Sequence, residues 1–263
     1  MDTRPTILGV DDSLTIRKAL EIILKPAGYA LELATDGAEA IAKAKTLQPA
    51  LILLDFILPD LRGFGQSDVM EADNSIIDYA SDIKGLLNHL KIKEAFLAGH
   101  SMGGYVALAF GREYSEAVSG LGLVSSQGAA DTPERKEGRY ATAKQVLDEG
   151  VKIVAESMTS KLSADMRIQS FVRKLISEQR PQGVSSALTA MAERPDSTEL
   201  LATFHFPFVI VHGDADELIP VERGREMKAA LPDAHFVELP NAGHMPMMEN
   251  PRAVADALRF FVK

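Results

Sequence analysis

Cysteine is absent from the 263 residues. That removes disulfides, zinc–thiolate centres and thiol nucleophiles, and it fits a cytosolic chain. No apolar run approaches the roughly 20 residues that a membrane-spanning helix needs. The first residues, "MDTRPTILGVDDS", carry no basic stretch ahead of an apolar one, so they do not form a secretion signal. The expectation is a soluble, cytoplasmic protein with no membrane partner. Positive charge is also scarce. Lys and Arg number 28 against 37 Asp and Glu, giving a formal net charge of −9 and a pI of about 5.2. That balance argues against nucleic acid as a partner. Internal repeats and low-complexity tracts are missing too. What is present is 46% apolar, enough for an ordinary core in one large α/β domain or two small ones.

The apolar pattern alternates between short continuous runs and helical periodicity. "TILGV", "ALELA" and "ALILLDF" read as buried strands. Between them, "SLTIRKALEIILKPAGY" and "DGAEAIAKAKTLQ" repeat at helical spacing, with Ser13 and Asp36 as caps. "NSIIDYASDIKGLLNHL" predicts a helix with Ile76, Tyr79, Ile83, Leu86 and Leu90 on one side. Strand "EAFLAG", helix "MGGYVALAFGREY" and strand "VSGLGLVSS" follow. The rhythm then breaks. From about 127 to 201 there are only charged amphipathic helices, an insertion that reads as a cap. It resumes with "FPFVIVHG", "VERGREMKAAL", "AHFVEL" and "NPRAVADALRFFVK". Strand–helix–strand order predicts a parallel sheet covered by helices on both faces.

Three words carry chemistry. "AGHSMGG" holds G-x-S-x-G as Gly99, Ser101 and Gly103, between a predicted strand and a predicted helix. Small residues there would let the chain turn sharply and project Ser101. The amide of Met102 would then open a helix and could donate to an oxyanion. "VHGDADELIP" follows a late strand and offers Asp216, with Asp214 as a competitor. "NAGHMPMMENP" follows the next strand and offers His244. Ser, Asp and His occur in that order, each at a strand's C-terminal end, where a parallel sheet collects its functional loops. A bland alternative exists for each: Ser101 as a plain helix cap, His244 as a turn residue. His89, His100, His205, His212 and His235 are assigned to surface or packing. Met245, Met247 and Met248 are assigned to core or pocket wall.

These words, together with "PDLRGFGQSD", resemble the α/β-hydrolase family in its esterase and lactonase branch, over about 59–263. The resemblance implies Ser101 as nucleophile, His244 as general base, Asp216 as its orienting acid and the Met102 amide as an oxyanion donor. It implies a small-molecule ester as partner and no required cofactor. Residues 1 to about 60 instead resemble a response-regulator receiver of the flavodoxin-like kind. "ILGVDDS" supplies its acidic pair, Asp11 and Asp12, and "LILLDFILPD" its phospho-acceptor strand, with Asp55. That trio could hold Mg²⁺ through hard oxygen ligands, or could be solvated loop acids. The lysine that the receiver family places after its fifth strand is missing, and so is the H-G word that supplies a hydrolase's second oxyanion donor.

The two resemblances meet inside "LPDLRGFG" with no linker between them. The expectation is an engineered chimera: a receiver-like β-α-β-α-β fragment (1–60) joined to a hydrolase-derived part (61–263) that carries the cap (127–201). The fold expected is one merged, doubly wound α/β sheet of about seven parallel strands, in the order 2-1-3-4-5-6-7. Its ester or lactone hydrolysis would be weak or lost. The alternatives are a fold chimera without activity and a vestigial Mg²⁺-binding receiver fragment.

Overall fold

The computed structural model describes residues 6–10, 21, 25, 28–35, 39, 43, 51–53, 59–70 and 74–262. The chain forms two compact units, 1–59 and 60–263. In the first, β1 (Thr6–Val10), β2 (Ala30–Ala34) and β3 (Leu51–Leu53) pair in parallel in the order β2-β1-β3. That is the strand order expected of a receiver-like fragment. The helices expected over 13–29 and 36–48 lie almost wholly outside the described residues, as do Asp11, Asp12 and Asp55. Of the second helix, Glu39 is seen to accept hydrogen bonds from the Thr35 amide and hydroxyl, both at 2.7 Å.

In the second unit, β4 (Ala95–His100), β5 (Val118–Val124), β6 (Phe208–Gly213) and β7 (His235–Leu239) form a parallel sheet in that order. Pairing therefore runs through a three-stranded and a four-stranded set. The alternation of β6 shows how the sheet is covered. Phe208 and Ile210 join one core with α1 (Ile76–His89) and α2 (Met102–Glu113), whereas Val209 and Val211 join another with α10 (Pro251–Leu258). Successive strand residues point to opposite faces, so both faces carry helices. On β5, Gly120 and Gly122 face the second core. A Cβ on Gly120 would lie 2.8 Å from Phe261, and one on Gly122 3.0 Å from both Leu258 and Ala98. The glycines in "VSGLGLVSS" are thus where the C-terminal segment presses onto the sheet.

α1 starts where its sequence allows. Ser75 and Asp78 form a reciprocal capping box, with Ser75 N–H donating to Asp78 at 2.8 Å, an arrangement that stabilises a helix start by about 1 kcal/mol. Its buried residues are Ile76, Tyr79, Ala80 and Leu87. Leu90, expected inside, is 43% exposed, because the helix ends at His89 and the chain turns away.

Between β5 and β6 lie only helices: α3 (Pro133–Glu149), α4 (Lys152–Leu162), α5 (Met166–Ser177), α6 (Pro181–Glu193) and the short α7 (Thr198–Leu201). Proline in the first turn starts α3 and α6, and Thr132 and Asp165 cap α3 and α5. The two ends of this insertion are stitched together. Ser197 N–H donates to Gly128 O at 2.8 Å and Ala130 N–H to Asp196 at 2.9 Å. Buried Asp131 pairs with Arg194 at 2.9 Å and with Arg139. Burial pushes the Asp131 carboxyl up, but the Arg194 and Arg139 hydrogen bonds outweigh it and hold it below the usual range.

The loop "DLRGFGQSD" is anchored to the same insertion. Arg180 donates to the carbonyls of Phe64, Gly65 and Ser67, and Gly63 and Gly183 meet backbone to backbone. α8 (Glu222–Ala230) and the short α9 (Pro246–Glu249) complete the unit. Among the described residues, no helix is long and apolar enough to cross a membrane.

The β5 glycines give a stability test. Gly122→Val is expected to destabilise by about 1–3 kcal/mol through overpacking. Gly138→Ala, on an exposed turn of α3 with nothing within 4 Å of its would-be Cβ, is expected to stabilise by about 0.5–1 kcal/mol. Urea midpoints read both, and unchanged midpoints would remove this account of the core.

Candidate active site

The strand β4 ends at His100 and the helix α2 begins at Met102, leaving one residue for the turn. That residue, Ser101, has φ 52° and ψ −115°, a conformation costly for anything but glycine. Its surroundings hold it there. Ser101 N–H donates to Val124 O at 2.9 Å, and its carbonyl accepts from Gly104 N–H at 3.0 Å and from the Ser126 hydroxyl at 2.9 Å. Ser101 makes no side-chain capping bond to α2, which corrects the plain-cap alternative. The tight approaches fall on Gly99, whose Cβ would lie 2.0 Å from Gly103 O, and on Gly104, whose Cβ would lie 2.2 Å from the Ser126 hydroxyl. Gly103, emphasised by the motif, has nothing within 4 Å of its would-be Cβ. The demand for a small residue therefore sits one position later than the motif suggests. The Met102 amide opens the 12-residue α2, where the helix dipole favours negative charge.

Asp216 lies in the turn after β6 and is buried. One carboxylate oxygen accepts from the amides of Leu218 and Ile219, both at 2.9 Å, and the other is 2.8 Å from His244 Nδ1. Burial pushes this carboxyl up. The His244 hydrogen bond and charge and the two amides outweigh burial, so it titrates below the usual range. Asp214, the competing acid, is exposed and accepts from Asn241 N–H at 2.6 Å. It stitches the loop after β6 to the loop after β7 and leaves Asp216 to face the imidazole.

His244 is 2% exposed, and its backbone is fixed on both sides of its Cα. Its N–H donates to Leu162 O at 3.1 Å, and its carbonyl accepts from His100 Nε2–H at 2.7 Å. With Nδ1–H donated to Asp216, the neutral ring keeps Nε2 bare as a proton acceptor. His100 immediately precedes Ser101, and its ring centre lies 4.9 Å from that of His244. The histidine loop is thereby held against the serine turn. His212 sits beneath the pair, donating Nε2–H to Ile219 O at 2.7 Å and lying 3.5 Å from Asp216. Burial pushes His212 down, as it pushes His100 down to about 4.

The structure thus bonds His244 to Asp216 and sets Ser101 on the elbow whose His100 touches the His244 backbone. His100 and His212, assigned from sequence to surface or packing, are site residues. The signal for each was its place at a strand end, directly before Ser101 and Gly213. Met245 and Met248 pack with Leu162, Ile168 and Val172, and Met247 packs against the second core. Among the described residues, no group of three or more His, Asp or Glu could hold a metal.

A strand–serine–helix elbow and an Asp–His pair at neighbouring strand ends define an α/β-hydrolase site. Residues 41–251 match the alpha/beta hydrolase fold family, and the chain belongs to it. It is 29% identical over 217 residues to the AB hydrolase superfamily protein YisY of Bacillus subtilis, covering 78% of this chain and 80% of that one. Among solved structures it resembles a thermophilic esterase from Thermogutta terrifontis, with a TM-score of 0.75 and 32% identity over 98% of this chain and 89% of that one. It shares the fold of the enol-lactonase from Burkholderia xenovorans, with a TM-score of 0.72 and 20% identity over 99% and 92% of the two chains. The family match begins at residue 41, inside the segment read from sequence as receiver-like.

The low proton affinity of His100 makes stability depend on pH. Its ordinary value is 6.5 and its folded value about 4. The unfolded chain therefore binds a proton that the folded protein refuses between those values. Stability falls as pH drops through that window, by about 2 kcal/mol between roughly pH 7 and pH 4.5. His100→Gln is expected to lose about 2 kcal/mol less over that interval, measured by urea unfolding at both pH values. Equal losses in the two proteins would refute the assignment.

Proposed function

We propose that the chain is a serine hydrolase of small carboxylic esters or lactones, working through Ser101, His244 and Asp216. The observation that carries this reading is the buried 2.8 Å bond between His244 Nδ1 and Asp216, formed at the same sheet edge as the strained Ser101 turn. In the reaction, Ser101 Oγ attacks the substrate carbonyl and its proton passes to His244 Nε2. Asp216 steadies the imidazolium, and the Met102 amide donates to the oxyanion. Collapse breaks the ester C–O bond, and the leaving alkoxide takes the proton from His244. Water, deprotonated by the same nitrogen, then releases the acid and restores Ser101. In a lactone the alcohol stays tethered to the acyl group. No cofactor enters these steps. The esterase and enol-lactonase among the similar structures support the substrate class.

The helical insertion serves as a cap over the acyl group. Without an H-G word to supply the second oxyanion donor, turnover is expected to be about 10²–10³ below that of a complete site. The first 60 residues remain, in our reading, a receiver-derived fragment joined by design. The parallel order β2-β1-β3 within the first unit supports the receiver-like part of this reading.

Hydrolysis of a p-nitrophenyl ester tests the chemistry. Ser101→Ala and His244→Ala are expected to fall to background, and Asp216→Asn to lose roughly 10³–10⁴ of the rate. Equal slow turnover by all four proteins, each melting cooperatively, would show a folded chain without a working triad.

A further inference from the structure

An imidazole bonded to a carboxylate is fixed in one direction only. The backbone that carries it must be fixed as well, and His244 sits in a loop. Two consecutive amides of that loop are held from different sides, one by the helical insertion and one by Glu249 of α9. His244 N–H donates to the carbonyl of Leu162, the last residue of α4. Gly243 N–H donates to Glu249 Oε2 at 2.5 Å. The other Glu249 oxygen accepts from the hydroxyl of Ser163, the residue after Leu162, which is 2% exposed. The Ser163 hydroxyl in turn accepts from Asp165 N–H at 3.2 Å, and its carbonyl accepts from the Gln169 side chain at 2.8 Å, both at the start of α5. A single carboxylate thus spans the histidine loop and the α4–α5 junction. The fit is close: a Cβ on Gly243 would lie 3.1 Å from Glu249 Oε1 and 3.3 Å from Leu162 O.

From this geometry we infer that Glu249 is a positioning residue, tying the seat of the helical insertion to the placement of the His244 imidazole. It touches neither substrate nor reacting atoms. It holds the Ala242–Gly243 peptide, one residue before His244, by a charge-assisted bond, the stronger kind, and leans on Ser163 to fix its own carboxylate. Misplacing a catalytic group by about 1 Å can cost roughly 10²-fold in rate. Loosening this strap therefore shows in turnover more than in substrate affinity. A glutamate that merely closed the four-residue α9 would alter melting and leave turnover per folded molecule unchanged.

The test uses the full chain with Glu249→Ala, Glu249→Gln, Ser163→Ala and the Glu249→Ala/Ser163→Ala double variant. Ester hydrolysis is expected to lose about 10- to 100-fold in kcat in Glu249→Ala, with KM within about threefold of the parent. Glu249→Gln keeps an oxygen for Gly243 N–H and can donate its amide hydrogen to Ser163, so it is expected to recover most of the rate. The double variant should lose no more than Glu249→Ala alone. Because the inference rests on the Ser101–His244 reading, a second readout stands apart from hydrolysis. This is the downfield proton resonance of the His244–Asp216 bond, assigned by its loss in His244→Gln. It should shift or broaden in Glu249→Ala and return in Glu249→Gln. If Ser101→Ala hydrolyses ester as fast as the parent, the function proposed above fails, and the resonance alone decides the coupling. Unchanged kcat and an unchanged resonance in folded Glu249→Ala, or losses that add in the double variant, would overturn it.

Discussion

A carboxylate inside a protein is tolerable only when donors surround it, and the arrangement of the second unit follows from meeting that requirement at Asp216. Two amides of its own turn take one oxygen and His244 takes the other. The turn must therefore stay tight and the histidine loop must lie alongside it. That loop reaches Asp216 because Asp214, exposed two residues earlier, binds the amide of Asn241. It can lie so close because Gly213 has no side chain, where a Cβ would fall 2.1 Å from Ala242 O. The buried acid thus dictates the loops around it.

The same economy of space governs the serine turn. Ser101 endures a left-handed φ because two backbone bonds, the Ser126 hydroxyl and two close approaches leave it no alternative. Its strain is carried by a rigid frame of parallel strands, where neighbouring C-terminal ends share one edge. His100 links the two halves of the site. It is the last residue of β4 and it grips the His244 carbonyl. Neutral imidazoles at His100 and His212 add no positive charge that would compete for Asp216.

Much of this was legible in the residues themselves, for identifiable reasons. Strand ends carrying "GHSMGG", "HGDADELIP" and "AGHMPMMENP" announce themselves through local spacing, and the β4-β5-β6-β7 order follows from a strand–helix alternation that resumes after the helical insertion. The choice of Asp216 over Asp214 came from the family resemblance and not from local pattern, since both follow the same strand and only burial separates them. His100, His212 and Glu249 act through partners 144, 7 and 86 positions away. Neither periodicity nor composition encodes such pairings. Gly104 rather than Gly103 meets Ser126 because helix α2 leans on β5, a tertiary fact. The Asp11, Asp12 and Asp55 trio lies outside the described residues.

The stitching at the ends of the helical insertion carries a consequence for the sheet. Gly128 to Asp131 and Arg194 to Ser197 are bonded to one another across the base of the insertion. From the side of β5 and β6, the long helical segment is a closed ring hung on a short connection. Closing such a ring once separates its contents from its supports, because the entropy of closure grows only slowly with what the ring encloses. The helices within it can then lengthen, shorten or be exchanged while the spacing of the strands that hold Ser101 and Asp216 stays as it is.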